Sequence, residues 1–223
     1  IKEAGKYGEA HVAASSQSVG YTTIPDQKDW QLSEDAAYVH ICSNETVGGL
    51  EFQDIPQVQK PLVADVSSNI LSRVWDVNQF GVLFGGAQKN IGPAGLSIVI
   101  VRKDLLGHAM PITPTIWDWA KQVENDSMLN TPPTFSIYLA GLIFKWLKRQ
   151  GGVAAIEQQN IIKSKLLYDC IDQSSLYVGK VDQRYRSRMN VTFYLQDEAL
   201  NDAFVAGAAK QGLMNIKGHK SVG

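Results

Sequence analysis

Four short apolar runs stand out in the first half of the chain: "AAYVHIC" (36–42), "PLVADV" (61–66), "FGVLFGG" (80–86) and "GLSIVIVR" (95–102). Each is nearly continuous rather than alternating, which predicts strands buried on both faces, as in the sheet of an α/β domain. Polar, turn-rich stretches such as "SNETVGG" and "SSNILS" begin where two of these runs stop. In open α/β sheets ligands sit at those carboxyl ends. Residues 1–10 predict the end of a helix, followed by a loop with turn signals at Gly20 and Pro25.

Residues 107–133 contain Pro111, Pro114, Pro132 and Pro133 and predict irregular chain. A helix follows: Thr131 can cap it, with prolines in its first turn. Phe135, Leu139, Leu142, Ile143, Trp146 and Leu147 are expected on its buried face, and Gly151 is expected to stop it. Residues 153–172 predict a second amphipathic helix, and 198–212 another. Between them "MNVTFYL" (189–195) alternates as a half-buried strand, with Met189, Val191, Phe193 and Leu195 on one face. This helix, strand, helix order predicts a separate α+β unit. The expected division falls near Gly152, giving residues 1–152 and residues 153–223.

With 44% hydrophobic residues in a chain of 223, a sizeable core can be buried. A formal net charge of −1 provides no bulk field for nucleic acid or an anionic membrane. Cys42 and Cys170 are far apart and lack a CxxC spacing, so a reduced, intracellular protein is expected rather than a disulfide scaffold. The longest nearly uncharged apolar segment, Phe135 to Phe144, is too short to span a bilayer. The first residue is not methionine and the opening pattern reads as mid-helix, so an internal piece of a longer protein is expected.

Lys89, in "FGGAQKNIGPAG" (84–95), is the residue whose chemistry most needs explaining. A Walker loop requires Gly-Lys-Ser/Thr opening a helix, and a dinucleotide fingerprint requires G-x-G-x-x-G; neither is present. His11, His40, His108 and His219 are scattered, with no HxxxH pair, so no metal site is expected. A lysine amine can instead join a carbonyl compound as an imine. If that compound were pyridoxal phosphate, its ring nitrogen would need a carboxylate partner. Asp65 closes the apolar run "PLVAD", where a carboxylate is costly unless paired. From the residues alone the pair is open to three readings: cofactor ligands, a cofactor-free Schiff-base site, or an ordinary salt bridge or pair of solvated loop residues.

"NETVGG" (44–49), "VADVSSNILSR" (63–73), "FGGAQKNIGPAGLSIVIVR" (84–102), "NTPPTFSIYLAGLIFKWL" (130–147), "RSRMNV" (186–191) and "KGHKSVG" (217–223) occur in this order. On these motifs the chain resembles the class V, fold-type I, pyridoxal-phosphate-dependent aminotransferases of serine biosynthesis. The resemblance covers essentially the whole chain. It implies an α/β fold with a mostly parallel sheet flanked by helices, residues 1–152 forming part of the large cofactor-binding domain. Residues 153–223 would then belong to an α+β small C-terminal domain. The implied reaction transfers the amino group of L-glutamate to 3-phosphohydroxypyruvate, giving O-phospho-L-serine and 2-oxoglutarate. Another fold-type I enzyme, a lyase or sulfur-transferring one, and a non-catalytic dimerising fragment are the alternatives.

The resemblance also implies residue roles. Lys89 would hold the cofactor covalently and later move the substrate proton. Asp65 would face the pyridine nitrogen, Thr46 would hold the ring, and Gln88 would lie near the phosphate. Asn130 and Thr131 would reach the phosphate bound by the other subunit of a cytoplasmic homodimer. His219 and Lys220 would handle the substrate's negative charge. The family usually has arginine at position 220, and a lysine replaces a planar fork with a point charge. Thr192 stands where the family often has proline. Its phosphate loop, stacking aromatic and further substrate arginine fall outside the chain on this reading.

Overall fold

The computed structural model describes residues 1–218. Its strands, in chain order, are β1 (Val39–Cys42), β2 (Asn44–Glu45), β3 (Leu50–Glu51), β4 (Leu62–Asp65), β5 (Val82–Gly86), β6 (Ser97–Val101), β7 (Tyr177–Val178) and β8 (Tyr194–Leu195). The α-helices are α1 (Trp119–Glu124), α2 (Thr134–Arg149), α3 (Gly152–Gln173) and α4 (Asn201–Lys210). The chain forms two compact units. One takes in Ile1–Leu32, Asn44–Asp54 and the chain from Gln159; the other is Ser33–Ser43 with Ile55–Gln158. The units therefore interleave along the sequence, where a single division near Gly152 was expected.

The second unit is built on a four-stranded sheet of order β1-β4-β5-β6. β1, β4 and β5 are parallel, and β6 runs antiparallel to β5. The four apolar runs of the sequence supply these four strands, each trimmed at its ends. Central burial follows the pattern: Leu62, Ala64, Val82 and Leu83 are buried. β6 departs from the expectation of two buried faces, since Val99 and Ile100 are exposed. It is an end strand of the described sheet, with a hydrogen-bonded neighbour on one side.

α2 was expected to start from a Thr131 cap, but it begins at Thr134 after Pro133, with no side-chain cap. Thr131 and Pro132 each precede a proline, which disfavours helical dihedrals at both. The buried stripe is also rotated from the expected one. Ala140 joins Ala87 and Ile91 in a core against which Ile70, Leu71, Leu96, Ile98 and Phe144 pack. Phe135, Leu142, Ile143 and Trp146 are exposed instead. Small residues decide this geometry, because Ser136 and Ala140 let the helix lie close to the chain after β5. The Ser136 hydroxyl donates to the Ala94 carbonyl at 3.0 Å. Gly151 ends the helix as expected, with φ +97°. The region 107–133, expected to be irregular, contains α1, whose Asp118 cap accepts from Ala120 N–H.

The first unit contains a β2–β3 hairpin, the β7–β8 pair, α4 and the C-terminal part of α3. Tyr177, Phe193 and Phe204 pack edge to face with ring centroids 5.2 to 5.9 Å apart. Arg186 forms a bidentate pair with Asp172, both contacts 2.7 Å, and lies over the Tyr168 ring. Residues 1–10 hold only a short 3-10 turn, Ala4–Lys6, where a helix end was expected. Gly5 and Gly8 weaken helix formation there. The strand expected over 189–195 is confined to Tyr194–Leu195, and Phe193 is exposed. The Met189 and Asn190 N–H groups are taken by the Ser187 hydroxyl oxygen rather than by a neighbouring strand.

Candidate active site

Parallel pairing brings Asp65 and the Lys89 turn to one end of the sheet. Asp65 is the last residue of β4 and lies in register with Phe84 of β5. β5 ends at Gly86, and the chain turns at once through Ala87, Gln88, Lys89 and Asn90. Ala87 and Ile91 are buried on the inner side of this turn, and Gln88 and Lys89 are exposed on the outer side. Backbone bonds from Ile91 N–H and Gly92 N–H to the Ala87 carbonyl close it. Asn90 Nδ2 donates to the Ile70 carbonyl at 2.6 Å, tying the turn to the segment beyond β4. The lysine therefore projects from a rigid, core-anchored loop.

Asp65 is oriented by the residue two positions on. Ser67 N–H and Ser67 Oγ donate to the same oxygen, Asp65 Oδ1, at 2.9 and 2.6 Å. The Ser67 hydroxyl oxygen in turn accepts from Gly86 N–H at 3.1 Å. The hydroxyl thus uses its one donor for the carboxylate and one of its two lone pairs for the strand. It links the carboxylate to the strand that delivers Lys89. Behind it the buried Ser43 contacts both the Asp65 carbonyl and Asn69 Oδ1, at 2.9 and 2.7 Å. Space is tightest at Gly85, where a Cβ would meet the Ser67 backbone at 3.0 Å; at Gly86 a Cβ would lie 2.5 Å from Gln88 Oε1, the movable end of a side chain.

The other expected site residues come from other segments of the chain. Thr46 is half-buried in the turn of the β2–β3 hairpin, in the first unit. Asn130 and Thr131 are exposed ahead of α2, in the second unit. His219 and Lys220 lie outside the described residues. Ser67 and Ser43 went unnoticed in the sequence. Only Ser67 carried a signal: an Asp-x-Ser at the end of an apolar run, a spacing that allows a side-chain-to-backbone turn.

The sheet carries Asp65 and the Lys89 turn at one end, with glycines closing β5. The family model for class V aminotransferases matches residues 1–222, and the chain belongs to this family. The chain is similar to a phosphoserine aminotransferase of Paraburkholderia phytofirmans, 58% identical over 225 residues, which is all of this chain and 62% of that relative. A solved phosphoserine aminotransferase from Bacillus circulans subsp. alkalophilus superposes with a TM-score of 0.96 at 46% identity, covering 100% of this chain and 62% of that one. A second, from Trichomonas vaginalis and bound to pyridoxal phosphate, gives a TM-score of 0.87 at 43% identity, covering 92% of this chain and 59% of that one. The chain thus spans about three fifths of the length of these relatives.

Proposed function

We propose that this chain carries the cofactor-holding centre of a phosphoserine aminotransferase. The reaction is amino transfer from L-glutamate to 3-phosphohydroxypyruvate, giving 2-oxoglutarate and O-phospho-L-serine, the transamination of serine biosynthesis. The observation that carries the reading is the delivery of Asp65 and Lys89 by adjacent parallel strands to one sheet end, with Asp65 Oδ1 already occupied by Ser67.

The residues fit pyridoxal phosphate. Asp65 has one oxygen engaged and presents a negative charge for the pyridinium nitrogen. Lys89 supplies an exposed amine, and glycines at the end of β5 allow close approach of a flat ring. Bound pyridoxal phosphate supplies an electron sink for the carbanion at the substrate's α-carbon. Lys89 would hold the cofactor, and its Nζ would take and return the proton at that carbon. Gln88, in the same turn, is proposed to meet the phosphate, and Thr46 to meet the ring.

Asn130 and Thr131, exposed ahead of α2, are proposed to reach the phosphate of a second copy in a homodimer. His219 and Lys220 are proposed to meet the negative charge of the substrate. Residues 1–152 would then be part of the large domain and 153–223 part of the small one. No helix among the described residues is long and apolar enough to cross a membrane, and a cytoplasmic location is proposed. The test is 2-oxoglutarate formation from L-glutamate by the protein as its gene encodes it. Continuous turnover with 3-phosphohydroxypyruvate is expected; release limited to one equivalent per site would refute the reading.

A further inference from the structure

The turn that carries Thr46 is held by residues about 140 positions later in the chain, an interval read from the Asn44 to Ser187 separation of 143. Ser187, which has no exposed surface, donates from its hydroxyl to Asn44 Oδ1. Ser187 Oγ itself accepts from Met189 N–H at 3.0 Å and Asn190 N–H at 2.9 Å. Asn44 Nδ2 donates to Asn190 Oδ1 at 2.8 Å, so the Asn44 amide is gripped on both sides. On the far side of the turn, Ser187 N–H donates to the Gly49 carbonyl at 2.9 Å, and Thr192 Oγ1 donates to the Gly48 carbonyl at 2.9 Å. Gly49 has φ +82°, and a Cβ there would lie 2.7 Å from both the Asn190 carbonyl oxygen and Thr192 Oγ1.

Thr46 is therefore bracketed by fixed points two residues before it and two residues after it. We propose that Ser187 and Asn190 are positioning residues that set the conformation in which Thr46 meets the cofactor, an inference that rests on the function proposed above. Buried, satisfied polar networks rigidify a segment and favour one geometry. Fixing a contact residue before its ligand arrives removes an ordering cost from binding. No part in holding the cofactor is proposed for Ser187 or Asn190 themselves, so the expected effect passes through Thr46.

The test is a double-mutant cycle on pyridoxal phosphate affinity, read as visible absorbance when the cofactor is added to stripped protein. The wild type, Thr46→Ala, Ser187→Ala, Asn190→Ala and the two doubles with Thr46→Ala are compared, with thermal unfolding of each stripped form. Asn190→Ala removes a single side-chain bond and serves if Ser187→Ala fails to fold. Each single substitution is expected to weaken binding about tenfold, the loss of roughly one hydrogen bond. Neither double should bind more weakly than Thr46→Ala alone. A weakening that multiplies with Thr46→Ala, or lower thermal stability with unchanged affinity, overturns the positioning role. Unchanged affinity in Thr46→Ala instead refutes the role proposed for Thr46, and with it the inference.

Discussion

Ser67 holds Asp65 by two hydrogen bonds to a single carboxylate oxygen, and accepts a third from Gly86 N–H. One small side chain thus sets the rotamer of the proposed pyridinium partner and registers it to the strand leading to Lys89. Ser67→Ala keeps the backbone bond and removes both the shorter one and the acceptor of Gly86 N–H. Cofactor affinity is expected to fall about tenfold, with a stability cost of about 1 kcal/mol. Absorbance titration with pyridoxal phosphate alongside urea unfolding separates the two effects.

The Lys89 turn is pinned from below by core residues. Ile91→Ala empties a position that is 1% exposed in the core shared with Ala87 and Ala140. It should cost about 2–5 kcal/mol. Lys89→Ala, at an exposed position, should change stability by less than about 0.5 kcal/mol while abolishing retention of the cofactor through gel filtration. Denaturant midpoints of the two variants check the contrast.

Gly49→Ala tests the seating of the Thr46 turn. The positive φ and the 2.7 Å approach to the Asn190 carbonyl oxygen penalise any Cβ. A loss of more than about 2 kcal/mol is expected from strain and displaced contacts. Thermal unfolding measures it, and a Gly48→Ala variant, where φ is unremarkable, should lose less.

Legibility in the sequence followed chemistry that leaves a pattern. The β5 run and its glycines were readable because a buried strand needs apolar side chains and a cofactor needs room. Asp65 was readable because a carboxylate ending such a run must be compensated. The buried side of α2 was not readable. Trp146 and Phe135 outweigh Ala140 in any hydrophobic pattern, yet closeness to the Lys89 turn is granted by the smaller side chain. β6 looks fully buried by composition because its residues do not record which neighbours it has. Ser67 and Ser187 act through geometry alone, and a serine looks the same in a solvated loop. Thr192 was a departure without evident meaning until its hydroxyl was found on the Gly48 carbonyl.

Tyr168 reports on the same segment from another side. Its hydroxyl donates to the Ser187 carbonyl at 2.8 Å, and burial pushes the phenol up from 10.0 to about 12, against the opposing charge of Arg186. Because the folded value is raised, both states are protonated below pH 10.0 and the stabilisation is complete there. Above it the unfolded chain loses its proton first, so stability drains between pH 10.0 and about 12. Tyr168→Phe should lower stability at neutral pH by about 1 kcal/mol and make the alkaline loss shallower by one proton. Unfolding midpoints measured across this window, mutant against wild type, give the difference.

The proposed function rests on Lys89 being the residue that binds the cofactor. Borohydride reduction of the protein loaded with pyridoxal phosphate, followed by digestion and mass spectrometry, locates the covalent attachment. The account predicts a single pyridoxyl group on the peptide containing Lys89, absent from Lys89→Ala. A label on any other lysine, or none from loaded and folded protein, would contradict it.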